Sequence, residues 1–220
     1  MARLGIGGGT VVVDLAAGTG KLARSLVATG ARIVAVEPSA GMREQLIAAV
    51  PSVAAIDGTA EALPLDDMSV DAVVVGQAFH WFDGDRALPE IHRVLRRIGG
   101  GGLGMVWNMR DRTADWLERL ADLTEPYRRD VPTYRDGTWR DAFDRADLFT
   151  PLEHRAFPYE HEVTATVMVE RMASISWIAS LPDGERAGLL HRVAAIFDGM
   201  PDRFPVPYHT DVWWCRAVPR

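Results

Sequence analysis

Cysteine and lysine are almost missing from this chain, which in 220 residues has one of each, Cys215 and Lys21. A single cysteine rules out an internal disulfide and makes a reducing compartment the simpler setting. No apolar stretch reaches the length of a membrane span, and the opening MARLGIGGGT is too short and glycine-rich for a secretory leader. The expectation is a cytoplasmic protein with no membrane partner. Charge of one sign never accumulates either: 30 acidic and 24 basic residues are mixed along the chain for a net charge of −6, so no arm is suited to a polyanion. The stretch Arg110–Arg145 interleaves arginine with Trp116, Tyr127, Tyr134 and Trp139, yet its eight arginines face nine acids. A phosphate-tracking surface needs a basic excess, so nucleic acid is not the expected partner. The near-absence of lysine beside abundant arginine, alanine and glycine reads as codon bias.

What the chain does have is hydrophobic residues, 48% of the total, enough for a sizeable core, and its length favours one elaborated domain. The stretch that organises it is VVVDLAAGTG, Val11–Gly20, an apolar run that ends in an acid, two alanines and two glycines. It reads as a buried parallel strand breaking into a tight turn before a helix. Lys21–Thr29 has helical spacing and stops at Gly30. Arg32–Glu37 is a second buried strand, and Ser39 caps a helix whose stripe is Met42, Leu46, Ile47 and Val50, ended by Pro51. Val53–Ile56 and Val70–Val75 are further strands. A helix with Leu88, Ile91, Val94 and Leu95 inward follows, with Pro89 keeping its start within about a turn. Gly99–Gly102 then turns into the strand Leu103–Trp107. Strands alternating with helices predict a parallel sheet covered on both faces. Residues 108–149 read as a helical cover. Leu152–Tyr159 is a candidate strand, Thr164–Leu181 a helix with Val167, Met168, Met172, Ile175 and Ile178 buried, Gly184–Phe197 another helix, and Tyr208–Val218 a closing strand.

In an open sheet of this kind ligands bind beyond the carboxyl ends of the strands. Gly18 and Gly20 let the backbone approach a ligand at the positive end of a helix. Glu37 lies 19 residues beyond Gly18, where an acid hydrogen-bonds ribose hydroxyls. An adenosine-bearing cofactor is therefore indicated. The turn also satisfies Gly-x-Gly-x-x-Ala, which leaves NAD open, but Asp14 at the strand end would repel a pyrophosphate and complements ammonium and sulfonium charge. A short-chain dehydrogenase needs Tyr-x-x-x-Lys, and the residue four before Lys21 is Ala17. His154, His161 and Cys215 lack metal-ligand spacing, so no metal is expected, and no serine lies in a Gly-x-Ser-x-Gly turn.

Four segments, VVVDLAAGTGKLARSL, VAVEPSAGM, DGTAEALPLDDMSVDAVVVGQAFHWF and EIHRVLRRIGGGGLGMVWN, resemble in order and spacing the successive motifs of class I S-adenosylmethionine-dependent methyltransferases, most nearly the type 11 group. The resemblance covers roughly residues 10–108. It implies a Rossmann-like, doubly wound α/β sheet, mostly parallel, with seven strands of which the last is antiparallel. It also implies that S-adenosylmethionine is the cofactor and a small molecule the methyl acceptor. Asp14, Ala16, Gly18 and Gly20 would line the methionine end, Glu37 would bind the ribose with Pro38 and Met42 beside ribose and adenine, and Thr59, Ala60 and Glu61 would flank the adenine edge. Gln77 would approach the methionine portion, and Phe79, His80 and Trp81 would face the acceptor, with His80 the candidate base for a hydroxyl acceptor. Two departures from the family pattern stand out. Ile98 occupies the place of a proline, and about ten residues precede the first strand where the family has helices, so a truncated start is the expectation. A nicotinamide oxidoreductase and a non-catalytic cofactor-binding protein are the competing readings.

Overall fold

A computed structural model of the chain describes residues 2–96, 101–129 and 131–219. A short 3-10 turn, Ala2–Leu4, leads into β1 (Val11–Leu15), α1 (Lys21–Val27), β2 (Arg32–Val36), α2 (Ala40–Ala49), β3 (Ala54–Ile56), β4 (Ala72–Gly76), α3 (Gly84–Val94) and β5 (Gly102–Arg110). Then come α4 (Asp115–Thr124), α5 (Asp141–Ala146), β6 (Glu153–Val163), α6 (Ala165–Ala173), α7 (Ser176–Ala179), α8 (Asp183–Ala195) and β7 (Phe204–Arg216). The seven strands form one sheet in the order β3-β2-β1-β4-β5-β7-β6. Strands β1 to β5 run parallel, in registers such as Leu15 opposite Val36 on one side and Val75 on the other. The closing strand β7 runs antiparallel to its neighbours. The expected architecture is therefore present. The continuous apolar runs of β1, β2 and β4 have the physical reason given by their burial: these strands are covered on both faces.

Several local expectations give way to packing. In α2 only Leu46 and the flanking Val50 are buried, both against Gly20 before α1, while Met42 is 45% and Ile47 49% exposed. The helix α3 begins at Gly84, more than a turn before Pro89, whose missing N–H costs only the bond to the Asp85 carbonyl in the first turn. The segment 164–181 is two helices. Ile175 is extended between α6 and α7, and Ser174 donates its hydroxyl back to the Arg171 carbonyl, an alternative partner for the backbone that ends α6. The strands β6 and β7 are longer than their sequence patterns suggest, and the Ile98 position lies outside the described residues.

The chain divides into two compact units, one of residues 1–107, 133–155 and 211–220 and the other of 108–132 and 156–210. The stretch 108–149 is thus shared between units. The first has a core of residues such as Val12, Leu26, Ile33, Leu46 and Val74, and the second a core built on Leu120, Met168, Met172, Leu189 and Val193. Leu4 lies against β5, where a Cβ on Gly102 or Gly104 would fall 2.5 and 2.8 Å from its methyls. Those two glycines in a strand are there for close approach. No described helix is long and apolar enough to cross a membrane.

Candidate functional site at the strand ends

The strand order reverses between β1 and β4, so the crevice in the first unit lies beyond Leu15 and Gly76. Both exits are conformationally strained. Ala16 follows β1 with φ of 55° and Gln77 lies just beyond β4 with φ of 62°, while Gly18 and Gly20 complete the turn at 55° and 82°. A side chain in the left-handed region costs roughly 1–2 kcal/mol, and such strain gathers at ligand sites. Gly20 is fixed twice over, since a Cβ there would also meet Leu46 Cγ at 2.8 Å. Gln77 donates its N–H to the Val106 carbonyl, so its backbone is anchored to β5.

Two acids stand at successive strand ends, as the spacing predicts, in opposite circumstances. Glu37 is 6% exposed, and its two carboxylate oxygens accept the N–H groups of Gly18 and Ser39, each at 2.9 Å. It braces the glycine turn and the start of α2 while keeping lone pairs for further donors. Asp14 is 1% exposed, and apart from the backbone amide of Ala23 its carboxylate has no hydrogen-bond partner. Burial pushes its pKa up to about 7, with the Ala23 amide opposing and the charge of Glu37 adding to the rise. Sequence reading did not find Arg43, which gathers the ends of β2 and β3 by donating to the carbonyls of Glu37 and Pro38 and to Asp57 at 3.1 Å. Two of its partners are backbone carbonyls, which any residue type presents, and the third is 14 residues away, so no spacing announces them.

The remaining expected residues are spread unevenly around the crevice. Pro38, Met42 and Thr59 are exposed, Ala60 is buried, and Glu61 accepts the Asp83 N–H at 3.1 Å. The turn Phe79–Trp81 divides its aromatics. Trp81 is 53% exposed, but Phe79 is 1% exposed, packed against Phe82, Trp139 and Phe143. Phe79, expected on the acceptor side, is thus packed among these rings. His80 is half-buried, and its Nδ1 accepts the indole N–H of Trp107 at 3.2 Å. Burial lowers its pKa, partly offset by the negative charge of Asp136.

Trp107 belongs to a layer the sequence did not single out. It stacks on Tyr134 with ring centroids 4.6 Å apart. Tyr134 donates its hydroxyl to Asp211 at 2.8 Å and accepts the indole N–H of Trp213 at 2.9 Å. His154 Nε2 meets Asp211 at 2.7 Å and its ring stacks on Trp213. The Asp211 carboxylate is 6% exposed, and burial together with this carboxylate raises the Tyr134 pKa to about 12. In the second unit a cavity of about 280 Å³ is lined by residues of the stretches 127–131 and 177–185, among them Tyr127, Arg129, Trp177 and Leu181. Among the described residues no three His, Cys, Asp or Glu side chains converge as metal ligands.

A mostly parallel sheet with this switch point, a glycine turn and an acid at the end of each of its first two strands defines a Rossmann-like α/β fold. The methyltransferase domain family of type 11 matches residues 13–101. An uncharacterized methyltransferase of Mycobacterium tuberculosis is 40% identical over 191 residues, covering 86% of this chain and 74% of that protein. This chain belongs to the methyltransferase family. A solved structure from Anaeromyxobacter dehalogenans, described as a type II methyltransferase, matches 94% of this chain and 88% of its own at a TM-score of 0.70 and 24% identity. A phosphoethanolamine N-methyltransferase of Haemonchus contortus, solved with phosphomonomethylethanolamine and S-adenosylhomocysteine, shares the fold at a TM-score of 0.56 and 17% identity, over 99% of this chain and 51% of that one.

Proposed function

We propose that the chain binds S-adenosylmethionine at the carboxyl ends of β1, β2 and β4 and transfers its methyl group to a small-molecule acceptor. The observation that carries this reading is Asp14, a carboxylate 1% exposed at the foot of the glycine turn, with the Ala23 amide beside it and no positively charged partner. A buried acid left unpaired is costly unless a cation completes it, and a pyrophosphate there would meet repulsion. The ammonium end of S-adenosylmethionine is such a cation, and the solved relative that holds S-adenosylhomocysteine supports the same choice. When bound, the cofactor supplies an electrophilic methyl group on a sulfonium. Glu37 then receives the ribose hydroxyls on its free lone pairs. Pro38 and Met42 flank ribose and adenine, Thr59, Ala60 and Glu61 border the adenine edge, and the strained backbone at Gln77 faces the methionine portion. Ala16, Gly18 and Gly20 hold the turn open, while His80 and Trp81 lie on the acceptor side. Methyl transfer mostly needs alignment and a dry site, because positioning alone supplies on the order of 7–11 kcal/mol.

Calorimetric titration with S-adenosylhomocysteine, with NAD in parallel, tests this. Binding of S-adenosylhomocysteine alone, lost in Asp14→Ala and Glu37→Ala variants that remain folded, is the expected result. Binding of NAD alone would overturn the methyltransferase reading in favour of an oxidoreductase.

A further inference from the structure

We infer, resting on that methyltransferase reading, that His80 acts as a hydrogen-bond donor through Nε2–H to an acceptor that arrives already ionised as a carboxylate, and that Trp107 is the positioning residue that fixes it in this role. An indole N–H can only donate. Since it lies 3.2 Å from His80 Nδ1, that nitrogen carries no proton, and in the neutral ring the proton is on Nε2. Trp107 is 1% exposed, so no water replaces this bond if it breaks. Nor can the indole swing aside easily. It stacks on Tyr134 at 4.6 Å and lies 4.9 Å from Trp139, and Tyr134 is held in turn by Asp211 and Trp213. To act as a base His80 would have to accept a proton at Nδ1, setting donor against donor. The burial that lowers its pKa opposes the same step.

The other acids at the strand ends are committed elsewhere. Glu37 holds the N–H groups of Gly18 and Ser39, Glu61 holds that of Asp83, and Asp14 is buried beneath the turn. Among the described residues, none of these three acids is left to serve an alcohol or phenol as a base, whereas a carboxylate needs none. Its step balances without proton transfer: a carboxylate oxygen lone pair forms the O–CH₃ bond, the C–S bond breaks, and its electron pair goes to sulfur. One negative and one positive charge disappear, leaving a methyl ester and a thioether. The Nε2–H of His80 holds the second carboxylate oxygen, which orients the attacking one.

The test is long-range ¹H–¹⁵N NMR on ¹⁵N-histidine-labelled protein, with the His80 signals assigned from a His80→Phe variant. Protein saturated with S-adenosylhomocysteine is then titrated with hexanoate and phenylacetate, against hexanol, hexylamine and phenol. The expected result is an Nε2–H tautomer whose Nε2 resonance shifts with a carboxylate and with no alcohol, phenol or amine. His80→Phe should lower carboxylate affinity by roughly tenfold, the loss of one hydrogen bond to a charged group. Its S-adenosylhomocysteine affinity should be unchanged. An Nδ1–H tautomer overturns the inference, as does an Nε2 resonance that moves with phenol or amine and not with carboxylate, or with nothing. Failure to bind S-adenosylhomocysteine at all would instead strike the methyltransferase reading beneath it.

Discussion

At the scale of single residues, Asp14 sets stability against binding. The folded chain keeps a proton on this carboxyl up to about pH 7, whereas the unfolded chain releases it near 3.8. Between those values the native state binds more protons than the unfolded one, so stability falls as pH rises through the window, by about 4 kcal/mol in full. Asp14→Asn should therefore match the wild type below about pH 3.8, gain on it through the window and exceed it by the full amount above about pH 7, as read by urea unfolding at a series of pH values. An unchanged pH dependence would show that Asp14 is not the group responsible. On the proposed function, the S-adenosylhomocysteine affinity of the wild type should weaken as pH falls below about 7 and the acid is neutralised, as read by calorimetry at a series of pH values. Gly20 gives a second residue-scale expectation. With φ at 82° and Leu46 Cγ 2.8 Å from a would-be Cβ, Gly20→Ala combines left-handed strain with overpacking. A loss of about 2–4 kcal/mol in unfolding free energy is expected, measured by denaturant titration.

Elements matter where they bring residues from distant parts of the chain together. The 3-10 turn at Tyr134–Asp136, the turn at Thr138–Arg140 and the strand β7 contribute Tyr134, Trp139 and Asp211 to the layer that supports Trp107 in β5. Tyr134→Phe removes the hydroxyl that donates to Asp211 and accepts from Trp213. It should cost about 1–3 kcal/mol in thermal or urea unfolding, because buried donors and acceptors lose their partners. In the second unit α6 carries Met168 and Met172 at 0% exposure into the core. Met168→Ala should destabilise by about 2–5 kcal/mol, checked by the same unfolding measurement, whereas Thr166→Ala on the exposed side of α6 should be nearly neutral.

For the molecule as a whole, the proposed cofactor binding would be linked to folding. S-adenosylhomocysteine at about 100 times its dissociation constant should stabilise the native state by about 2.7 kcal/mol, read as a rise in thermal midpoint that NAD does not produce. Sequence alone determined the sheet, because the parallel strands need apolar residues on both faces and the runs at β1, β2 and β4 supply them without interruption. It also determined where the crevice lies, since Gly18, Gly20, Asp14 and Glu37 are local features of strand ends. The tertiary structure decided the rest. It withdrew Phe79 into an aromatic core, split the expected helix 164–181, left Met42 and Ile47 at the surface of α2, and paired His80 with Trp107. The physical reason is the range of the interactions. Strand burial and turn geometry are written in consecutive residues, whereas the proton on His80 depends on an indole 27 residues away and on the layer behind it, which joins Tyr134 to Asp211 across 77.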